Sequence, residues 1–225
     1  MLSGDKPCNA EQKSFYQQAL YGPSKGLDQI RDYYRNVTER LIREKSNKMR
    51  ETYQLDAVRD VGNLSHPIVV ARIFNIPINE NGDVGTVTAR QLHDAMAAFI
   101  AYIFLDIDPA KTQQLKVAAK KATAILQKLI TPSVEAVKAE RFHMLKDIIG
   151  INTDDELTLP DYGTHLVQRL FDGGKNLDEV IWAIIPTASA ASTSLGQAVS
   201  LFYLVSRLEQ RIFLSFAKFR FLTDE

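Results

Sequence analysis

The groups in this chain with chemistry to offer are four histidines, one cysteine and a run of hydroxyls on an apolar stretch. Their spacing decides what each could do. His66, His93, His143 and His165 are scattered, and no His-Glu-x-x-His pattern brings two of them to one helix face. Each reads as a surface or structural histidine, so no metal site is expected. Ser65 and His66 are adjacent. Neighbouring side chains on a helix do not face each other, so no nucleophile–base pair is expected there. Cys8 follows Pro7, and Lys6 and a helix opening near Asn9 would favour its thiolate. An ordinary free thiol is the plainer reading. No Gly-x-Gly-x-x-Gly, phosphate loop or Gly-x-Ser-x-Gly elbow occurs.

The small residues from Thr187 to Ser194 are more informative. In a long apolar helix they let something approach the backbone closely. That could be a crossing helix. It could also be a flat cofactor or a fatty acyl chain lying across the helix. Pro186 removes one helix hydrogen bond and predicts a kink. The Thr and Ser hydroxyls can bond nearby carbonyls in partial compensation.

The elements that must position these groups read as helices. Leu27 to Asn47 carries Ile30, Tyr34, Val37 and Leu41 on one face. Val58 to Phe74 is a second helix, broken near Pro67. Asn75 to Val87, with Pro77 and Gly82-Asp83, reads as an irregular loop or hairpin. Thr88-Ala89-Arg90-Gln91 is a capping box, and its helix runs through Phe99 and Ile103. Asp108-Pro109 places a cap before a proline at the first helical position. The next helix repeats apolar residues from Leu115 to Leu129. Thr131-Pro132 ends it and starts another, with Val134, Val137 and Leu145. Asn152 to Leu159 is a polar connection. Pro160 to Phe171 is a short helix stopped by Gly173-Gly174. Asn176 caps a long apolar helix from Leu177 to about Arg207. One all-α unit follows.

Length and composition fit one globular domain: 225 residues, 45% apolar and 24% charged. Lys plus Arg and Asp plus Glu number 27 each, so no broad basic field invites nucleic acid. A single cysteine allows no internal disulfide and fits a reducing compartment. The first residues hold no apolar signal core, which disfavours secretion. Val180 to Ser206 is uncharged and long enough for a bilayer. Its proline and hydroxyls make a buried helix the better reading than a span. A cytoplasmic chain is expected, membrane-peripheral at most.

Five stretches in order carry a family resemblance. Ile184-Ile185-Pro186-Thr187-Ala188-Ser189-Ala190 resembles the central helix of the haem-thiolate domain in fungal linoleate diol synthases and psi-factor-producing oxygenases. Met1 to Pro7, Val58 to Leu64, Phe104 to Lys111 and Asp161-Tyr162-Gly163 resemble other landmarks of that domain. The likeness covers about residues 1–205, and 206–225 diverge. It implies an all-α, partial cytochrome P-450-like domain built around one long central helix, about 177–207.

In such enzymes an N-terminal haem dioxygenase makes fatty-acid hydroperoxides. The haem-thiolate domain then isomerises them to diols without NADPH. An Asn, and a Gln three residues later on the central helix, assist O–O cleavage by positioning and polar stabilisation. The matching positions are Ser194 and Gln197. Gln197 agrees. Ser194 puts a shorter hydroxyl in place of the amide, and Leu195 replaces the family's next glutamine. Thr187, Ala190 and Ala191 are the expected substrate- or haem-facing residues.

Haem is the family's cofactor, held by a cysteine thiolate that lies after the central helix. Here Cys8 is the only cysteine, and no Glu is followed three residues later by Arg. The resemblance therefore implies part of an oxidoreductase or isomerase of oxylipin formation, inactive and without haem when alone. Its partners would be a fatty acid or fatty-acid hydroperoxide and the missing N- or C-terminal part. The alternative is a non-catalytic helical remnant that binds a fatty acid or a partner protein.

Overall fold

Helices form in this chain where apolar residues recur at helical spacing and a polar side chain closes the first turn. The computed structural model describes residues 8–21, 26–50, 52–80, 85–147 and 159–192. The helices are α1 (Cys8–Tyr21), α2 (Gly26–Lys45), α3 (Asn63–Ile73), α4 (Ala89–Phe104), α5 (Thr112–Asp147), α6 (Leu159–Asp172) and α7 (177–192). Strands β1 (Asn47–Met49) and β2 (Thr52–Gln54) form a small antiparallel hairpin after α2. A π-helical turn, Ala57–Gly62, leads into α3. Among the described residues the fold is all-α apart from that hairpin.

The caps expected at Thr88 and Asn176, and the stop at Gly173-Gly174, are present. Thr88 Oγ1 accepts from the Gln91 amide at 3.3 Å, and Gln91 Oε1 accepts from the Thr88 amide at 2.9 Å. Asn176 and Glu179 make the same reciprocal pair at the start of α7, at 3.0 and 2.9 Å. At the end of α6 the Gly174 amide donates to Phe171 O and the Lys175 amide to Leu170 O. Gly174 takes φ +79°, the left-handed conformation that this helix stop needs.

α3 is the enclosed element. Ser65 to Ala71 are all buried, and the helix touches α2, α4 and α6. α5 packs along α4 and also meets α6. Leu92 and Met96 of α4, Leu126, Ile130 and Val134 of α5, and Leu166 and Val167 of α6 fill the core between them. Val180, Ile184, Ile185 and Ala188 bring one face of α7 into the same core.

Three helix boundaries differ from the sequence expectation. α3 is not broken at Pro67, which lies buried inside it. The irregularity falls earlier, at the wide π-turn, where the Asn63 amide reaches both Val58 O and Val61 O. Thr131-Pro132 does not split α5, which runs on through Pro132 to Asp147. Leu126, Leu129, Ile130, Val134 and Val137 stay buried on one continuous face. Burying that face outweighs the single hydrogen bond that the proline removes. Finally, α5 begins at Thr112, because Asp108 to Lys111 close a turn first, with the Lys111 amide donating to Asp108 O at 2.9 Å.

Asn75 to Val87 is irregular where described, pinned by the Asn79 amide on Val87 O at 2.7 Å. The polar connection at 152–158, and the expected continuation of α7 to about Arg207, lie outside the described residues. No helix among the described residues is long and apolar enough to cross a membrane.

Gly163 decides how closely α6 can lie on α3. A Cβ there would stand 2.6 Å from Asn75 N and 2.7 Å from Arg72 O, both backbone atoms that cannot swing aside. Gly163→Ala is therefore expected to destabilise the chain by about 1–3 kcal/mol, despite alanine's better helix propensity. Urea unfolding of the two proteins measures the difference.

Candidate functional site

α7 is buried on one side only. Ala188, Ser189 and Ser192 are fully enclosed, while Thr187 is exposed and Ala190 and Ala191 are half-buried. Trp182, Pro186 and Ala190 recur every four residues and form the outward stripe, with Trp182 40% exposed. The small residues thus divide into two sets. Ala188, Ser189 and Ser192 serve packing against the core. Thr187 and Ala190 lie on the uncovered face, whereas Ala191, expected to face substrate or haem, packs half-buried against the core in line with Val180 and Ile184.

The helix passes through Pro186 without interruption. The Thr187 hydroxyl donates to the Ala183 carbonyl at 2.7 Å, the compensation expected beside a proline. Ser192 Oγ is buried with no hydrogen-bond partner. Ser194 and Gln197, the two expected catalytic residues, lie outside the described residues, so the structure neither joins nor separates them.

A polar cluster that spacing alone did not reveal sits on the far side of the core. Ser65 and His66 are both buried, at 1% exposure each. They do not face each other, yet they share a partner from α2. The Tyr34 hydroxyl lies 2.6 Å from His66 Nδ1 and 3.3 Å from Ser65 Oγ. Burial pushes the Tyr34 hydroxyl above the usual tyrosine range, and its bond to Ser65 draws it partly back. The cluster joins α2 to α3. A tyrosine on the apolar face of α2 was legible as core, but its hydroxyl partner was not.

The other landmark stretches also hold elements together. Asp56 caps the π-turn through the Val58 and Arg59 amides, and Arg59 grips Asp60 at 2.8 and 2.9 Å. That grip holds the Asp60 carboxyl below the usual range. The Arg90 guanidinium of α4 donates to the Arg59 carbonyl. At α6, the Tyr162 hydroxyl donates to Leu20 O, and Arg169 Nε donates to Ala19 O at 2.8 Å. Both satisfy carbonyls of the last turn of α1, where a cation is also favoured by the helix dipole. His93 on α4 has a buried Nδ1 without a partner, and burial lowers its pKa below the usual histidine value. No group of three or more His, Cys, Asp or Glu suited to a metal occurs among the described residues.

The chain resembles several fungal oxygenases along most of its sequence. Psi-producing oxygenase A of Aspergillus fumigatus is 32% identical over 202 residues, 89% of this chain and 18% of that protein. A bifunctional dioxygenase–epoxy alcohol synthase of Fusarium oxysporum is 31% identical over 88% of this chain and 15% of its own length. Linoleate diol synthase of Gaeumannomyces graminis is 29% identical over 67% of this chain and 14% of its own length. No family model and no solved structure matches. Over most of its length the chain is thus similar to members of the fungal fatty-acid dioxygenase family, and it spans less than a fifth of the length of these relatives.

Two measurements test the electrostatics. Tyr34→Phe removes the hydroxyl shared by Ser65 and His66, and should cost about 1–3 kcal/mol in urea unfolding. The buried face of His93 favours its neutral form. Below the ordinary histidine pKa of 6.5 the unfolded chain takes up the proton first, so stability falls as pH drops through that value. A thermal melt series should show a smaller acid-side decline in His93→Gln than in the wild type.

Proposed function

We propose that this chain is the helical part of a hydroperoxide-isomerising domain in an oxylipin-forming oxygenase, and that α7 supplies the surface on which a fatty acyl chain lies. The observation that carries this reading is the half-covered α7. Its small residues Thr187 and Ala190 border a face that the described residues leave open, in a chain 32% identical to a psi-producing oxygenase over most of its length. Small side chains admit a long apolar ligand close to the helix, and apolar contact along the ligand holds it there. Gln197 is the residue we assign to positioning the hydroperoxide, with Ser194 offering a hydroxyl where relatives of this type would use an amide.

The residues present do not fit a haem by themselves. α7 carries no thiol or imidazole over 177–192, and the one thiol, Cys8, belongs to α1. The axial thiolate that haem-thiolate chemistry requires has no donor on or after α7 in this stretch. The ligand and the dioxygenase activity are assigned to parts of a longer protein, in keeping with the small share of each relative that the chain spans. The chain's own contribution is substrate contact, with no redox step. The second reading, a non-catalytic fatty-acid-binding remnant, keeps the same surface and is favoured by the hydroxyl at Ser194.

Trp182 is the only tryptophan and lies on the open stripe of α7, one turn before Pro186. Linoleic acid at micromolar concentration should therefore change its fluorescence, and Ala190→Phe should weaken the effect by filling the face. Absence of any response in the wild type, together with no displacement of a fluorescent fatty acid, would remove the acyl-binding role. Haemin added to the chain should give no thiolate-type band in the reduced CO-bound spectrum. Such a band would show that the ligand assignment is wrong.

A further inference from the structure

We propose that the turn between α4 and α5 docks on the surface of an anionic lipid bilayer, with Phe104, Leu105 and Ile107 entering the interface and α5 lysines facing the headgroups. Four large apolar side chains stand within five residues here. Ile103 is 48% exposed, Phe104 61%, Leu105 56% and Ile107 88%. Isolated exposed apolar residues are ordinary, but a contiguous group on a projecting turn marks an interaction site.

The local hydrogen bonds explain why the apolar side chains point outward. The acids interleaved with them are used inside the turn. Asp106 Oδ1 accepts from the Thr112 hydroxyl at 2.7 Å. Asp108 accepts from the Ala110 amide at 3.1 Å and pairs with Lys111 at 3.3 Å. The acids therefore close the start of α5, and the intervening residues face solvent.

Charge identifies the partner. The whole chain is neutral, but 112–134 holds Lys116, Lys120, Lys121 and Lys128 and no acid. Lys116 and Lys120 stand nearest the apolar tip, sharing a groove with Ile103. A groove of about 350 Å³ between α4 and α5 is floored by Phe99 and Ala119 and bordered by Ile103, Lys116 and Lys120. Apolar side chains ringed by lysine are the chemistry of a membrane-surface anchor. Lysine is depleted in protein–protein interfaces, which disfavours a protein partner for the same face. Side chains on a turn insert to headgroup depth, so the proposed contact lies in the interface plane.

Sedimentation of the full 225-residue chain with vesicles tests it. The vesicles are phosphatidylcholine, with or without about a third of phosphatidylserine, the anionic lipid to which juxtamembrane lysines respond. Binding should require the anionic lipid and weaken with added salt. Phe104→Ser with Ile107→Ser should reduce partitioning roughly tenfold or more through lost apolar insertion. Lys116→Gln with Lys120→Gln should reduce it roughly fivefold for each lysine removed. All four positions are exposed, so the thermal midpoints of these variants should match the wild type. The proposal is overturned if the wild type does not bind anionic vesicles, or if neither variant changes binding. Self-association of the chain, abolished by the same substitutions and without vesicle binding, would assign the face to a second copy instead.

Discussion

The close passage of α6 over the end of α3 is the constraint on which the rest of the molecule depends. Gly163 has no side chain, so its backbone can lie against Arg72 and Asn75. That approach seats Leu166, Val167 and Leu170 in the core and fixes the axis of α6. From that axis Tyr162 and Arg169 reach the last carbonyls of α1. One missing methyl group thus sets the position of a helix that binds the N-terminal helix to the core. Close packing makes such a contact sensitive to a single carbon atom.

Three stretches read in the sequence as resembling family landmarks are packing and capping devices in this chain. Tyr162 and Gly163 form a packing device. The Val58 to Leu64 stretch is a π-turn secured by Asp56, Asp60 and Arg90. Phe104 to Lys111 is a turn whose acids close the start of α5. Together they hold α1, α3, α4, α5 and α6 in place, and α7 adds one apolar face to that assembly.

Much of the local structure was legible because its causes are local. Thr88 with Gln91 and Asn176 with Glu179 are reciprocal caps within four residues, and Gly173-Gly174 is a helix stop made from consecutive residues. The hairpin at Asn47 to Gln54 was not legible. Its strands are three residues each, and its turn uses Arg50 at φ 57°, a position where the sequence shows neither Gly nor Asn. Of the site, the small residues of α7 could be found by composition. Their division into a packed set and an open set needed the core.

The sequence by itself determined the helices, their caps and the family, since periodicity, capping chemistry and identity to relatives all reside in the order of residues. Tertiary structure alone decided whether a proline breaks a helix. Pro67 and Pro132 remain inside α3 and α5 because the apolar faces around them are buried by other helices. It also decided that Ser65 and His66, turned apart on one helix, meet at a tyrosine from another. These outcomes depend on groups distant in the chain, and burial free energy between them outweighs local preference.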